Sequence, residues 1–244
     1  MNDTATATMH SKPIGFVFIH GAGLSGRIWE PVVRQLGHPY LLADFPHRQG
    51  PAASRRHLTL HDYTTHIQAQ IEAWNERPFV IVAHSIGAIP ALQIAASMRD
   101  RLAGFAAVGA AVPADGGSFL STMPPAKRAL MHVLLRAFGT QPPEAAIRSG
   151  LCNDLTAEQT EQVVRGFAPE SLHLYTDRAE APIPNVPKLY IKLTNDRELS
   201  LSRQDGIISR FAPERVETLE AGHLPMLSKP DELRRVLTGF FGLK

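Results

Sequence analysis

Ser85 stands where one periodicity gives way to another. The run Phe79-Val80-Ile81-Val82-Ala83-His84 is apolar and β-branched enough for a fully buried strand, and Ile86, Ile89, Leu92 and Ala96 follow at helical spacing. A strand that becomes a helix with almost no loop must turn sharply on one residue, and here that residue is Ser85. Ala83 and Gly87, two before and two after it, are small enough for the flanking backbones to pass. Such a turn pushes the hydroxyl clear of the sheet edge and leaves the Ile86 amide at a helix N-terminus, where donors lack partners. A hydroxyl beside a spare amide is the core of an acyl-transfer site. The plainer alternative is a strand ending in a serine that caps the next helix. Pro90 falls near the start of that helix, where a missing N–H costs least.

The elements that must position this turn alternate along the chain. Strands are expected at 14–19, 40–43, 79–84, 102–112, 188–193 and 216–219, and helices at 28–36, 59–75, 86–98, 203–211 and 229–241. Between Pro113 and Pro187 the alternation stops; helical patterns at 126–138 and 157–167 are bounded by prolines, with no convincing strand. The expectation is an α/β fold: a six-stranded, mainly parallel sheet with helices on both faces and a helical cap inserted at about 113–187. Residues 13–244 would form one domain, after a disordered tail at 1–12 that is polar and rich in Thr and Ala.

A serine hydroxyl is a poor nucleophile at neutral pH and needs a base. In an open parallel sheet, ligands bind beyond the carboxyl ends of the strands. The polar residues just past each strand are therefore the candidates: His20-Gly21-Ala22-Gly23 after the first, Ser85 after the third, Thr194-Asn195-Asp196 after the fifth, and Ala221-Gly222-His223 after the sixth. One serine, one acid and one histidine fall on the same rim, in the order Ser85, Asp196, His223. Asp196 could instead sit in a solvated turn with Arg197 and Glu198, and Asp115, past the fourth strand, is the rival acid. Asp44 reads as the start of a loop. His84 should project away from the Ser85 hydroxyl, because neighbours on a strand face opposite sides. His20 reads as a brace for its own turn, and His57, His61 and His66 as solvated residues, without the carboxylate or cysteine spacing of a metal site.

These motifs together resemble an α/β-hydrolase over nearly the whole chain, and more narrowly the compact branch of plant methyl esterases and hydroxynitrile lyases. The likeness is carried by FVFIHGAG at 16–23, AHSIGA at 83–88, LYIKLTND at 189–196 and GHLPML at 222–227. Ala83 departs by one methyl group from the usual G-x-S-x-G. The resemblance implies a triad in which Ser85 attacks an ester carbonyl, His223 relays the proton and Asp196 orients the imidazole. It also implies an oxyanion hole made by the backbone N–H groups of Ala22 and Ile86, and it is the likeness that selects Ala22 over Gly21. Lyases of that branch have Thr after the first-strand His and Lys after the catalytic His. Here those positions are Gly21 and Leu224, which favours an esterase.

The function expected is a serine-dependent hydrolase of a small, mostly apolar carboxylic ester, without cofactor or metal. Lyase, lactonase or cofactor-free oxygenase chemistry on the same triad is the alternative, and a non-catalytic small-molecule receptor a further one. Leu120, Met123, Leu130, Leu134 and Phe138 of the insertion, with Leu224 and Met226 beside His223, are expected to line an apolar cleft, Met123, Leu224 and Met226 being the leading substrate contacts. Arg27 and Arg48 are the charges expected nearest the rim.

Composition narrows the partners. A hydrophobic fraction of 44% with 20% charged residues is a globular balance, and a net charge of +2 is too small to argue for nucleic acid or an anionic membrane. No run of apolar residues is long enough for a membrane span. Cys152 is the only cysteine, so no internal disulfide forms, which suits a reducing, cytoplasmic setting. Apolar residues on the last helix could serve a homodimer.

Overall fold

The structure is a computed structural model that describes residues 14–75 and 78–242. The tail expected at 1–12 lies outside the described residues. Six strands form one sheet: β1 (Gly15–Ile19), β2 (Tyr40–Ala43), β3 (Phe79–His84), β4 (Leu102–Val108), β5 (Lys188–Leu193) and β6 (Arg215–Leu219). Their order is β2-β1-β3-β4-β5-β6, and every neighbouring pair is parallel. All six carboxyl ends therefore share one rim, and the belonging of this chain to the α/β class follows.

The period of two along the strands divides the core. Val17, Ile19, Ile81, Ala83, Phe105 and Tyr190 face one apolar cluster, and Phe16, Phe18, Val80, Val82, Ala106 and Ile191 face the other. Burial on both faces explains why the central strands read as continuous apolar runs. Helices α2 (Leu60–Trp74), α3 (Ala88–Ser97) and α8 (Leu201–Phe211) cover the first face through residues such as Ile67, Ile71, Leu92 and Phe211. The short α1 (Glu30–Val33), α9 (Pro225–Ser228) and α10 (Pro230–Phe240) cover the second through Val32, Met226, Leu233 and Leu237. Thr59 and Asp62 form a reciprocal capping box at the start of α2, and Asn75 closes it in the left-handed conformation at φ 58°.

Two expectations need correction. The stretch 28–36 is not one helix: a 3-10 turn at Gly26–Trp29 runs into the single turn α1, with Pro31 in its first turn. The fourth strand ends at Val108 and not at Val112, because Gly109 adopts φ +46° and leaves the ladder. Residues 109–112 stay buried but run over the rim, where the Ala111 N–H donates to the Ser85 carbonyl.

Between β4 and β5 the described chain adds α4 (Pro125–Phe138), α5 (Glu144–Ala146), α6 (Ala157–Gly166) and α7 (Leu172–Thr176), and no strand. Only the isolated bridges Gly23–Ala168 and Gly117–Ala179 give this stretch β character. No residue of α4 is buried, and Leu130, Val133 and Phe138 lie exposed along it. Among the described residues, no helix is long and apolar enough to cross a membrane.

Candidate active site

The turn after β3 is built as its sequence demands. Ser85 takes φ +53°, a left-handed conformation that a non-glycine residue adopts only when its surroundings impose it. Gly87 answers for the spacing: a Cβ there would collide with the carbonyl of His20. A Cβ on Gly21 would meet Nδ1 of His84 at 2.8 Å and Cβ of Ser85 at 3.1 Å. The β1 turn and the Ser85 turn thus touch through their glycines.

The rim brings the three chemical groups together. Ser85 Oγ lies 3.0 Å from His223 Nε2, and His223 Nδ1 lies 2.8 Å from Asp196 Oδ2. Asp196 Oδ1 accepts from the N–H groups of Glu198 and Leu199 at 2.8 and 2.9 Å, so both carboxylate oxygens are engaged. These bonds assign the His223 tautomer: Nδ1–H donates to Asp196 and Nε2 accepts from the hydroxyl. Burial works against the charged imidazole, but the Asp196 carboxylate outweighs it and His223 is raised above the ordinary histidine value. Burial likewise opposes ionised Asp196, yet His223 and the two amides hold its carboxyl below the usual range. Asp115, the rival acid, is exposed and has no part in this chain of bonds.

His84 and His20, buried near this chain of bonds, are spectators whose burial disfavours the charged form. His84 is fully buried, donates Nε2–H to the His223 carbonyl at 2.8 Å, and is lowered to about 3 by burial and then by its neighbour His223. His20 donates Nδ1–H to the Gly21 carbonyl at 2.8 Å and accepts the Phe45 N–H at Nε2, 3.2 Å away. Burial, with Arg48 nearby, keeps it well below the ordinary value. It braces the turn, as expected. Asp44 also works structurally, accepting from the Gly26 N–H at 2.7 Å. His57, His61 and His66 are exposed, and no group of three or more His, Cys, Asp or Glu among the described residues is placed to hold a metal ion.

A cavity of about 570 Å³ opens over Ser85 and His223, and Ala22 and Ile86 line it beside them. Met123, Met131, Leu134, Leu135 and Phe138 line it, together with Phe119, Phe167 and Tyr175. Leu224 and Met226 do not reach it. Both are wholly buried in the second apolar cluster, because the chain turns into α9 directly after His223. Leu120 is buried away from the cavity and Leu130 points to solvent. Arg27 pairs with Glu30 on the surface and Arg48 with buried Glu170; the charges that do line the cavity are Lys127, Arg197, Glu198 and Arg203. Cys152 is buried, and burial pushes its thiol up to about 11, which keeps it out of the chemistry.

Residues 16–236 match the family described as Alpha/beta hydrolase family. The chain belongs to this family. No curated protein matches it in sequence. Among solved structures, this hydrolase is similar to an extracellular alpha/beta-hydrolase from a Paenibacillus species, reported to share homology with tobacco salicylic acid binding protein 2. Their identity is 20% over 93% of this chain and 98% of the other, with a TM-score of 0.82. The Arabidopsis methylesterase MES16 aligns at 20% identity over 95% of this chain and 100% of its own, with a TM-score of 0.77. A pyrethroid hydrolase from Sphingobium faniae JZ-2 aligns at 22% identity over 94% and 97%, with a TM-score of 0.71. At these identities the likeness speaks for the fold, and it agrees with the compact branch that the sequence motifs resemble.

Several residues of this hydrolase that hold the site carry no signal in sequence. Asp154 accepts from the Gly222 N–H at 2.5 Å, and Asn153 donates to the Asn195 carbonyl at 3.0 Å, so the segment before α6 grips the residues next to His223 and Asp196. Glu170 accepts from the Gly23 N–H at 3.2 Å. All three lie in irregular backbone between β4 and β5, where no periodicity points to a partner.

Proposed function

We propose that this hydrolase is a serine esterase that cleaves a small, mostly apolar carboxylic ester through an acyl-enzyme intermediate. The observation that carries the reading is the unbroken chain Ser85–His223–Asp196 opening into a cavity walled by Met, Leu and Phe. Ser85 Oγ attacks the ester carbonyl carbon while His223 Nε2 takes its proton. The carbonyl oxygen becomes an oxyanion and accepts from the N–H groups of Ala22 and Ile86. The tetrahedral adduct collapses, the C–O bond to the alcohol breaks, and His223 returns the proton to the leaving oxygen. Water, its proton taken by His223, then attacks the acyl carbon; the bond from that carbon to Ser85 Oγ breaks, His223 returns the proton to Oγ, and the acid is freed. Asp196 stays ionised throughout and stabilises the imidazolium. The stretch 113–187 acts as a cap within the same domain as the sheet, supplying the acyl and alcohol contacts.

Leu224, apolar and wholly buried, offers no cation beside His223, which separates this reading from cyanohydrin cleavage. The test is turnover of p-nitrophenyl acetate and butyrate by the natural chain and by Ser85→Ala. The natural chain should hydrolyse both, and Ser85→Ala should lose about 10⁴–10⁶ in kcat. Equal rates for the two proteins reject the nucleophile. Mandelonitrile should release no cyanide.

A further inference from the structure

The Ala22 N–H is useful only if its peptide plane is fixed, and the turn that carries it is not part of any helix or ladder. From one side His20 fixes that plane, donating to the carbonyl of Gly21, which shares a peptide group with the Ala22 N–H. From the other side the next peptide group must also be held, since Ala22 has two free dihedrals between the two planes. Its N–H, on Gly23, donates to Glu170 Oε1 at 3.2 Å, and the Gly23 carbonyl accepts from the Ala168 N–H at 3.0 Å. Gly23 sits at φ +78°, and a Cβ there would collide with the Phe167 ring. The segment 167–170 is thus the mould against which the turn is cast.

That mould is itself over-determined. Arg48 donates to the Ala168 carbonyl at 3.2 Å, Arg55 to that of Pro169 at 3.0 Å and Thr140 to that of Glu170 at 2.5 Å. The Glu170 side chain is buried and receives three donors: the Gly23 N–H, the Arg48 guanidinium and the Tyr63 hydroxyl at 3.0 Å. A group that must accept from all of these suits a carboxylate, and Arg48, buried beside it, supplies the compensating charge. Stability alone does not call for such a pair, because well-packed apolar side chains of similar volume serve as well or better. We infer that Glu170 is a positioning residue: its carboxylate, charged and oriented by Arg48, fixes Gly23 so that the adjoining Ala22 N–H faces the reacting carbonyl. The inference rests on the esterase reading above and adds a residue to it.

The experiment compares the natural chain, Glu170→Ala, Glu170→Gln and Ser85→Ala on p-nitrophenyl butyrate, together with inhibition by an alkyl trifluoromethyl ketone, whose hemiketal oxyanion occupies the same amides. Loss of the carboxylate misplaces a donor without deleting it, so Glu170→Ala should lower kcat by about 10- to 100-fold. KM should stay within about threefold, since the lost contact acts in the transition state. The ketone Ki should rise by the same factor as kcat falls, which a merely structural role would not produce. Glu170→Gln keeps an oxygen for Gly23 without the charge and should fall between. If Glu170→Ala does not fold, Glu170→Gln carries the test by the same parallel loss in kcat and ketone affinity. Folded variants with natural kcat and Ki overturn the inference, as does a kcat loss with unchanged ketone affinity. An inactive Ser85→Ala beside an unimpaired Glu170→Ala removes only Glu170, whereas an active Ser85→Ala removes the esterase reading itself.

Discussion

Gly87 faces the carbonyl oxygen of His20 with no room for a methyl group between them, and an added Cβ would also crowd Cγ2 of Ile19 at 3.2 Å. Its φ of −57° is ordinary, so the demand for glycine is one of space and not of conformation. Gly87→Ala should therefore push apart the β1 turn and the Ser85 turn. Overpacking of this kind costs about 1–3 kcal/mol. Urea unfolding should register that loss, and kcat should fall with it because the backbone that yields carries both proposed oxyanion donors.

The pH profile should follow His223. Its neutral form is the base, and its pKa is raised above the ordinary 6.5 because Asp196 outweighs the effect of burial. Activity should therefore be lost on the acid side with a midpoint above 6.5. In Asp196→Asn that midpoint should move down, and kcat should drop by about 10⁴-fold as the tautomer is lost. Stability has the opposite dependence for the imidazole: the raised pKa stabilises the fold below the ordinary value, and this contribution disappears as pH rises through the folded value. For Asp196, held low, the contribution is present above 3.8 and disappears as pH falls through the folded value. Thermal unfolding across pH, with Asp196→Asn as the reference, checks both signs.

Cavity and core should separate by mutation. Leu224 and Met226 are wholly buried, so each change to Ala should destabilise by about 2–5 kcal/mol. Met123 and Met131 line the cavity, and truncating either should chiefly alter KM for longer acyl chains. Denaturant unfolding and KM over p-nitrophenyl acetate, butyrate and octanoate distinguish the two classes. A large KM shift without instability in Leu224→Ala would return that residue to the substrate pocket.

How much of this was legible in the chain depended on whether the signal was local. Ser85 and Asp196 follow the largely buried strands β3 and β5 and His223 follows the mostly exposed edge strand β6, and a parallel sheet carries every strand's carboxyl end to one rim, so their meeting could be read without contacts. The capping of α2 by Thr59 and Asp62 is likewise written in adjacent residues. Leu224 and Met226 were misplaced because proximity along the chain to His223 says nothing about which way the next turn faces; Pro225 opens α9 there and directs them into the core. Gly109 ended β4 early through its backbone angle, invisible in an apolar run of Ala and Val. Glu170 was out of reach for a different reason: its partners Gly23, Arg48 and Tyr63 come from three distant stretches.

The outward side of α4 has a colloidal consequence. Leu130 and Val133 are 59% and 62% exposed, so they lend the fold almost no burial energy. What they set instead is how molecules meet at high concentration, where such side chains favour sticking over repulsion. Replacing Leu130 and Val133 by glutamate would trade that tendency for solubility at little cost to folding, which makes this helix the natural place to tune the protein's handling without disturbing its sheet.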